Sequence, residues 1–384
     1  MRHCITLFAL FALSFVTAGS ALAYPEYKVT VVGPPNSVGL DINQAGVVVG
    51  YYQVSPTVTH AFLNRGKGVV DLGAFRGTST NAVAVNDKGQ VLGHWRTRAG
   101  QLRGYIYDLG NFRDIGVISG KDTLWTDINN AGYISANAAG TGFLRAPDGT
   151  LTRLGYLPNI STDPDAYNDT STDALNNKNQ ITGRSSPAIP VEGPLHGFIW
   201  TRGKLRDVGN LGGVPISGQA INDRGQITGY AALATRFSRA AFLYHRGRIV
   251  PIDTRPASGD RYSTGDAINN RGHVVGSSDF LSGFIWRGKP MESLTAMIDP
   301  RLGWQIWYPA AINDAGQILA YAYRNGKNYT VRLDLIRPHT TAVPPAEPDE
   351  ETVVEPPVSA QAAAARAKQE AEAIAREAPK PVAQ

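Results

Sequence analysis

Seven copies of one short pattern leave this chain little choice of architecture. The copy at 220–229 reads Ala220-Ile221-Asn222-Asp223-Arg224-Gly225-Gln226-Ile227-Thr228-Gly229, and related copies are anchored on Asn43, Asn86, Asn129, Asn176, Asn222, Asn269 and Asn313. Successive anchors lie 43, 43, 47, 46, 47 and 44 residues apart. A unit of that length cannot bury its apolar face alone, so the units must stack on one another, and the spacing is that of propeller blades.

Within each copy an aliphatic residue precedes Asn, two free positions follow, then Gly, then a short β-prone run ending in a small residue. This pattern predicts a tight hairpin. The Asn side chain can bond forward to the backbone, and Gly supplies the positive φ that a type I turn with a bulge requires. In the fourth copy Asn179 stands where the others have Gly46, Gly89, Gly132, Gly225, Gly272 and Gly316. Asn is the next residue to tolerate left-handed geometry. The Asp41-Ile42-Asn43-Gln44-Ala45-Gly46 stretch superficially matches the start of a calcium loop, but Ala45 offers no oxygen at the fifth position and no Glu stands at the twelfth. The turn is therefore read as structural, with no metal and no cofactor.

Around each anchor four short strand signals recur. The first ends in the aliphatic-Asn pair and the second is the Gln-Ile-Thr-Gly type of run. The third joins a small residue, a ring and an aliphatic, as in Ala61-Phe62-Leu63, Gly104-Tyr105-Ile106 and Ala241-Phe242-Leu243. These rings are expected in the core between blades. The fourth reads Val70-Asp71-Leu72-Gly73 or Arg206-Asp207-Val208-Gly209. Four strands per period make a blade, so the expected fold is all-β, a seven-bladed propeller. The seventh copy runs into Arg337-Pro338 without a fourth strand, while Lys28-Val29-Thr30-Val31-Val32-Gly33 has that pattern ahead of the first anchor. The two ends are expected to share a blade, which closes the ring, removes its open sheet edges and suits a monomer.

The His60-Ala61-Phe62 triplet, its variant His196-Gly197-Phe198, the Asn-x-x-Gly turn and the Asp-aliphatic-Gly strand occur in fixed order from Tyr24 to about Pro338. In these features the chain resembles the HAF-repeat family of bacterial extracellular repeat proteins. The resemblance implies a repeat scaffold outside the cytoplasm and no common catalytic residues. Most copies replace the His with Arg, Thr, Ala or Ser, so it is read as a satisfied strand histidine.

Residues 1–23 read as a signal peptide: Arg2 and His3, an apolar run from Ile5 to Val16, then Ala21-Leu22-Ala23. The protein is therefore expected to be secreted or periplasmic, with no membrane-spanning segment once the signal is removed. Cys4, the single cysteine, lies inside that signal, which excludes disulfides and thiol chemistry from the rest. Residues 24–336 form the propeller, 337–358 a Pro-rich acidic linker, and 359–384 an Ala-rich helical or disordered tail. A net charge of +5, scattered over turns such as Arg65-Gly66-Lys67, is not a nucleic-acid footprint.

The turns joining first to second and third to fourth strands belong on one face and are short. The other connections belong on the opposite face and are long, variable and rich in rings and charges, the kind of loop that carries binding on a rigid scaffold. Trp304, Trp307 and Tyr308 are the first candidates for stacking on a sugar, followed by Trp125, Trp95 and Arg96. Asp163 to Asp169 is an oxygen-rich loop read as an Asx turn rather than a calcium site. No Gly-x-Ser-x-Gly, His-Glu-x-x-His or phosphate loop is present. The expected role is a binding or structural module of the bacterial cell envelope, partnered by an envelope polysaccharide or another envelope protein. The rival is a glycoside hydrolase or lyase using Asp122, Asp163, Asp165, Glu192, Asp260 or Asp299.

Overall fold

A computed structural model describes residues 25–157, 169–186, 195–234, 238–254 and 261–336. The segments read as signal, linker and tail lie outside the described residues. Seven four-stranded antiparallel sheets stand in a ring. Blades 1 to 6 span 37–73, 79–116, 123–153, 169–207, 212–251 and 263–293, and blade 7 spans 305–335. Its fourth strand comes from the other end of the chain. Tyr27–Val31 pairs antiparallel with Lys327–Leu335, with Tyr27 opposite Leu335 and Val31 opposite Val331. The expected closure is what the structure shows.

The anchor turns explain why seven copies make one object. Each anchor Asn is almost fully buried. Its Oδ1 accepts backbone N–H groups of its own turn, for Asn222 those of Arg224 and Gln226, each at 3.0 Å. Its Nδ2 reaches out of the blade and donates to the main-chain carbonyl of the next anchor. Asn43 donates to Asn86, Asn86 to Asn129, and so on around to Asn313, which donates to Asn43, all at 2.8–3.1 Å. That carbonyl also closes its own turn, as Gly89 N–H to Asn86 at 2.9 Å. Both of its lone pairs are used.

A second ring runs beside the first. The residue after each anchor, Gln44, Asp87, Asn130, Asn177, Asp223, Asn270 or Asp314, donates its backbone N–H to the side-chain oxygen of its counterpart in the next blade, at 2.7–2.9 Å. Every residue at this position must therefore carry an acceptor, which is why only Asp, Asn and Gln occur there. Positive φ at Gly225 (72°) and at Asn179 (58°) shows the two as equivalent turn corners.

Apolar packing between blades does the rest. The expected rings Phe62, Tyr105, Phe198, Phe242 and Phe284 are fully buried. They join neighbouring blades, as Phe62 of blade 1 packs with Ala311 and Leu319 of blade 7. The small residue before each ring leaves room for the next blade: a Cβ at Gly104 would collide with Trp125. The repeat histidines are clipped to the fourth strand. His60 Nδ1 lies 3.0 Å from Asp71 Oδ2 and His196 Nδ1 lies 2.7 Å from Asp207 Oδ2, while Arg103 takes the same role with Asp114 at 2.9 Å in blade 2.

Two outcomes test this account. A chain beginning at Asn36 lacks the closing strand, and it should lose several kcal/mol of stability or associate through the bared edge; analytical ultracentrifugation with thermal melting reads both. Asn222→Ala should cost about 3 kcal/mol, since it strands two turn N–H groups and leaves the Asn269 carbonyl with only its own turn bond. Asn222→Asp keeps the turn acceptor but not the ring donor, so a denaturant midpoint equal to wild type would show that the inter-blade bond contributes nothing.

Candidate binding groove between blades 6 and 7

Among the described residues the repeat departs from its pattern between blades 6 and 7. The fourth strand of blade 6 shrinks to Glu292–Ser293, and two 3-10 turns follow, Thr295–Met297 and Pro300–Leu302. Asp299 caps the second by accepting from the Arg301 N–H at 3.0 Å, and Gly303 at φ 68° ends it. Leu294, Met297, Ile298 and Ile306 anchor this connection in a core that includes Tyr27. Of the candidates placed on this connection, Trp307 and Tyr308 lie instead on the strand Gln305–Ile312.

The six expected site residues part company. Trp304 is 8% exposed, sits in that core edge-on to Tyr329 and is covered by the Arg324 guanidinium at 5.0 Å. Trp125, 2% exposed, fills the blade 2–3 core and donates its ring N–H to the Gly116 carbonyl at 3.3 Å. Trp95 is 7% exposed, meets Phe75 edge-on and lies beneath Arg103. These three tryptophans are core, a correction to the stacking role expected of them, because burial leaves no ring face for a sugar. Arg96 is exposed but bonds the Gly100 carbonyl of its own turn, far in sequence from the groove.

Trp307 and Tyr308 remain on the surface. A bulge between Ile306 and Tyr308 takes Trp307 out of the ladder and turns Ile306 into the core. Trp307 lies parallel to Tyr323, with centroids 5.1 Å apart and planes at 7°, and tilted against Tyr321. Tyr308 is 60% exposed, and across the junction Phe280 is 70% exposed at the second-to-third turn of blade 6. Beside Trp307 an open groove of about 370 Å³ is lined by Phe280, Leu281, Ile306 and Trp307, with Ser282, Ser293, Thr295 and Gln305 as polar groups. Rings flanking a few hydroxyl and amide groups suit a ligand with apolar faces and a polar edge. Tyr321, Tyr323 and Phe280 were not among the expected residues. The alternation in Leu319-Ala320-Tyr321-Ala322-Tyr323 could have found the first two, since positions two apart share a strand face.

Of the carboxylates proposed for catalysis, Asp299 is paired with Arg301 at 2.6 Å and Asp122 accepts from the Leu102 N–H at 3.2 Å. Asp163, Asp165, Glu192 and Asp260 lie outside the described residues, as does the oxygen-rich loop up to Asn168. Among the described residues no group of His, Cys, Asp and Glu is arranged to hold a metal.

A different set of carboxylates does share an environment. Every first strand carries a bulge three residues before its anchor, and Asp173 and Asp266 occupy it in blades 4 and 6. Asp41 and Asp127 stand one residue later in blades 1 and 3 and accept from the Val85 and Leu175 N–H groups of the next blade, at 2.8 and 2.9 Å. Burial strips water from all four and raises their carboxyls, Asp41 and Asp266 to about 7 and Asp127 and Asp173 to about 6. Asp127 repels Asp41 as well. Burial lowers His94 to about 4, and its Nε2 accepts from the Trp125 N–H at 2.8 Å.

No family model matches the chain, and no curated protein matches it. Solved structures do. The β-propeller domain of the Trilobed protease from Pyrococcus furiosus aligns over 79% of this chain and 99% of its own at 9% identity, with a TM-score of 0.51. This is the β-propeller fold. Virginiamycin B lyase from Staphylococcus aureus aligns over 81% and 99% at 9% identity and TM-score 0.48. The extracellular domain of a putative one component system from B. thetaiotaomicron aligns over 81% and 40% at 13% identity, also at 0.48. At these identities the likeness is one of fold.

The raised carboxyls predict a pH dependence. Unfolded aspartates titrate at about 4, so as the pH is lowered from 8 the folded chain takes up protons that the unfolded chain does not, and stability rises; it is lost again as pH climbs through about 7. Below about 6.5 the buried neutral His94 opposes this, because the unfolded chain then gains its proton. The melting temperature should therefore be higher at pH 6.5 than at pH 8. Asp266→Asn, whose amide can still meet the Ser277 hydroxyl, should narrow that difference. A flat profile in the wild type would refute the shift.

Proposed function

We propose that the protein is an exported propeller that serves as a binding module at the bacterial cell envelope and holds a carbohydrate in the groove between blades 6 and 7. One observation carries this reading: Trp307, stacked on Tyr323, and the exposed Phe280 both line an open groove whose remaining lining includes serine, threonine and glutamine side chains. Pyranose rings offer apolar faces to such rings and hydroxyls to such polar groups. The export signal read at 1–23 and the resemblance to extracellular HAF repeats support the compartment. Among the described residues no helix is long and apolar enough to cross a membrane. The ring closure and the two hydrogen-bonded hubs supply the rigidity that a displayed site needs.

Affinity electrophoresis against a panel of envelope polysaccharides tests the proposal. Trp307→Ala should weaken retention on the cognate polymer by about tenfold or more, roughly one stacking contact, and leave the melting temperature nearly unchanged. Trp304→Ala should lower the melting temperature instead, because that ring is core. Unchanged retention in Trp307→Ala would remove the groove from the reading, and breakdown products of the polymer would transfer it to the enzyme class.

A further inference from the structure

The face of tight turns, opposite the groove, is unevenly charged. In blades 4, 5 and 6 it consists of the turns 176–180, 201–204, 222–226, 245–248, 269–273 and 286–290. The outer turns present Arg202 and Lys204, Arg246 and Arg248, and Lys289; nearer the axis stand Lys178 and Arg271. All seven are exposed. The one carboxylate in these turns, Asp223, is committed: its Oδ1 accepts from the Asn177 N–H and its Oδ2 from the side-chain amides of Asn177 and Asn270. Glu292, just beyond, is held by Arg287 at 2.6 Å. On the other side of the ring the same face carries Asp87, Asp108, Asp148 and Asp314 against Arg65, Lys67, Lys88 and Arg145, so those turns balance and the net positive excess lies in blades 4 to 6.

We propose that this sector of the tight-turn face docks on an anionic bilayer surface. The cations are spread over two radii and three blades, and no long loop rises among them, so they form a broad, flat array. A single-file polyanion needs a groove to track it; a charged plane needs a plane. Each cation sits on a hairpin whose backbone is already fixed, which limits the ordering cost of bringing them to one surface together. Cations near anionic headgroups act through a screened field, so the association must weaken with salt. Docked this way, the ring would turn its groove away from the bilayer. The inference does not rest on what the groove holds.

Co-sedimentation of the purified protein with vesicles tests it, using phosphatidylcholine alone and phosphatidylcholine with roughly 30% phosphatidylglycerol. Binding should appear with the anionic vesicles only and vanish in about 0.5 M salt. The quadruple variant Arg202→Gln, Lys204→Gln, Arg246→Gln, Arg248→Gln should lower the partition coefficient by about tenfold or more with an unchanged melting temperature. A charge-matched control on the opposite face, Arg76→Gln, Arg98→Gln, Lys121→Gln, Lys327→Gln, should stay within about twofold of wild type. Equal losses in both variants would reduce the effect to net charge and overturn the proposal. So would failure to bind anionic vesicles, or capture by soluble polyphosphate without capture by vesicles.

Discussion

A ring of seven asparagine amides, each donating to the main-chain carbonyl of the next blade, is the constraint on which the rest of this structure depends. Each amide does two jobs at once. Its oxygen organises the turn that ends the first strand, and its nitrogen joins that turn to the neighbouring blade. A buried amide left without partners costs about 1 to 3 kcal/mol for each unmet group, so local turn and ring closure stabilise or fail together. The adjacent ring of backbone N–H to side-chain oxygen bonds has the same logic and the same direction. Both rings close between Asn313 or Asp314 and the first blade, across 270 residues of chain. The Tyr27–Val31 strand makes the same closure from the outside.

With the hub fixed on one face, variation is displaced to the other. The second-to-third and fourth-to-first connections bear none of the ring bonds, so they can change length without opening the hub. The 6–7 junction shows what that freedom produces. A shortened fourth strand, two 3-10 turns and an extra bulge turn Ile306 and Trp304 inward and leave Trp307, Tyr308 and Phe280 outward. The groove exists because the repeat fails there. The tight-turn face carries no such irregularity, and what distinguishes its sectors is charge alone.

The bulge in each first strand has a chemical consequence as well as a geometric one. It takes a residue out of the ladder close to the hub, where water is scarce, and in blades 4 and 6 that residue is an aspartate. Asp41 and Asp127 serve instead as inter-blade acceptors for main-chain N–H groups. Those bonds favour the ionised form, yet loss of hydration outweighs them and the carboxyls rise.

Much of the architecture was legible from residues alone. The interval between Asn43, Asn86 and their successors gave blade number, Lys28 to Gly33 gave the closing strand, and the small-ring-aliphatic triplets gave the inter-blade core, because each depends on local periodicity and turn chemistry. Asn222 could be read as a turn former, but its bond to Asn269 could not, since that contact depends on the angle between blades. The site was the least legible part. Trp304 and Trp307 are three residues apart in one segment and look interchangeable in the sequence, whereas one is core and the other surface. Strand alternation sets Trp307 on the face opposite buried Ile306, and the bulge after Ile306 brings Tyr308 out as well; which of those faces meets protein is set by how the strand fits its neighbours once the ring has closed. Periodicity specifies which residues share a face; only tertiary packing decides whether that face meets protein or water.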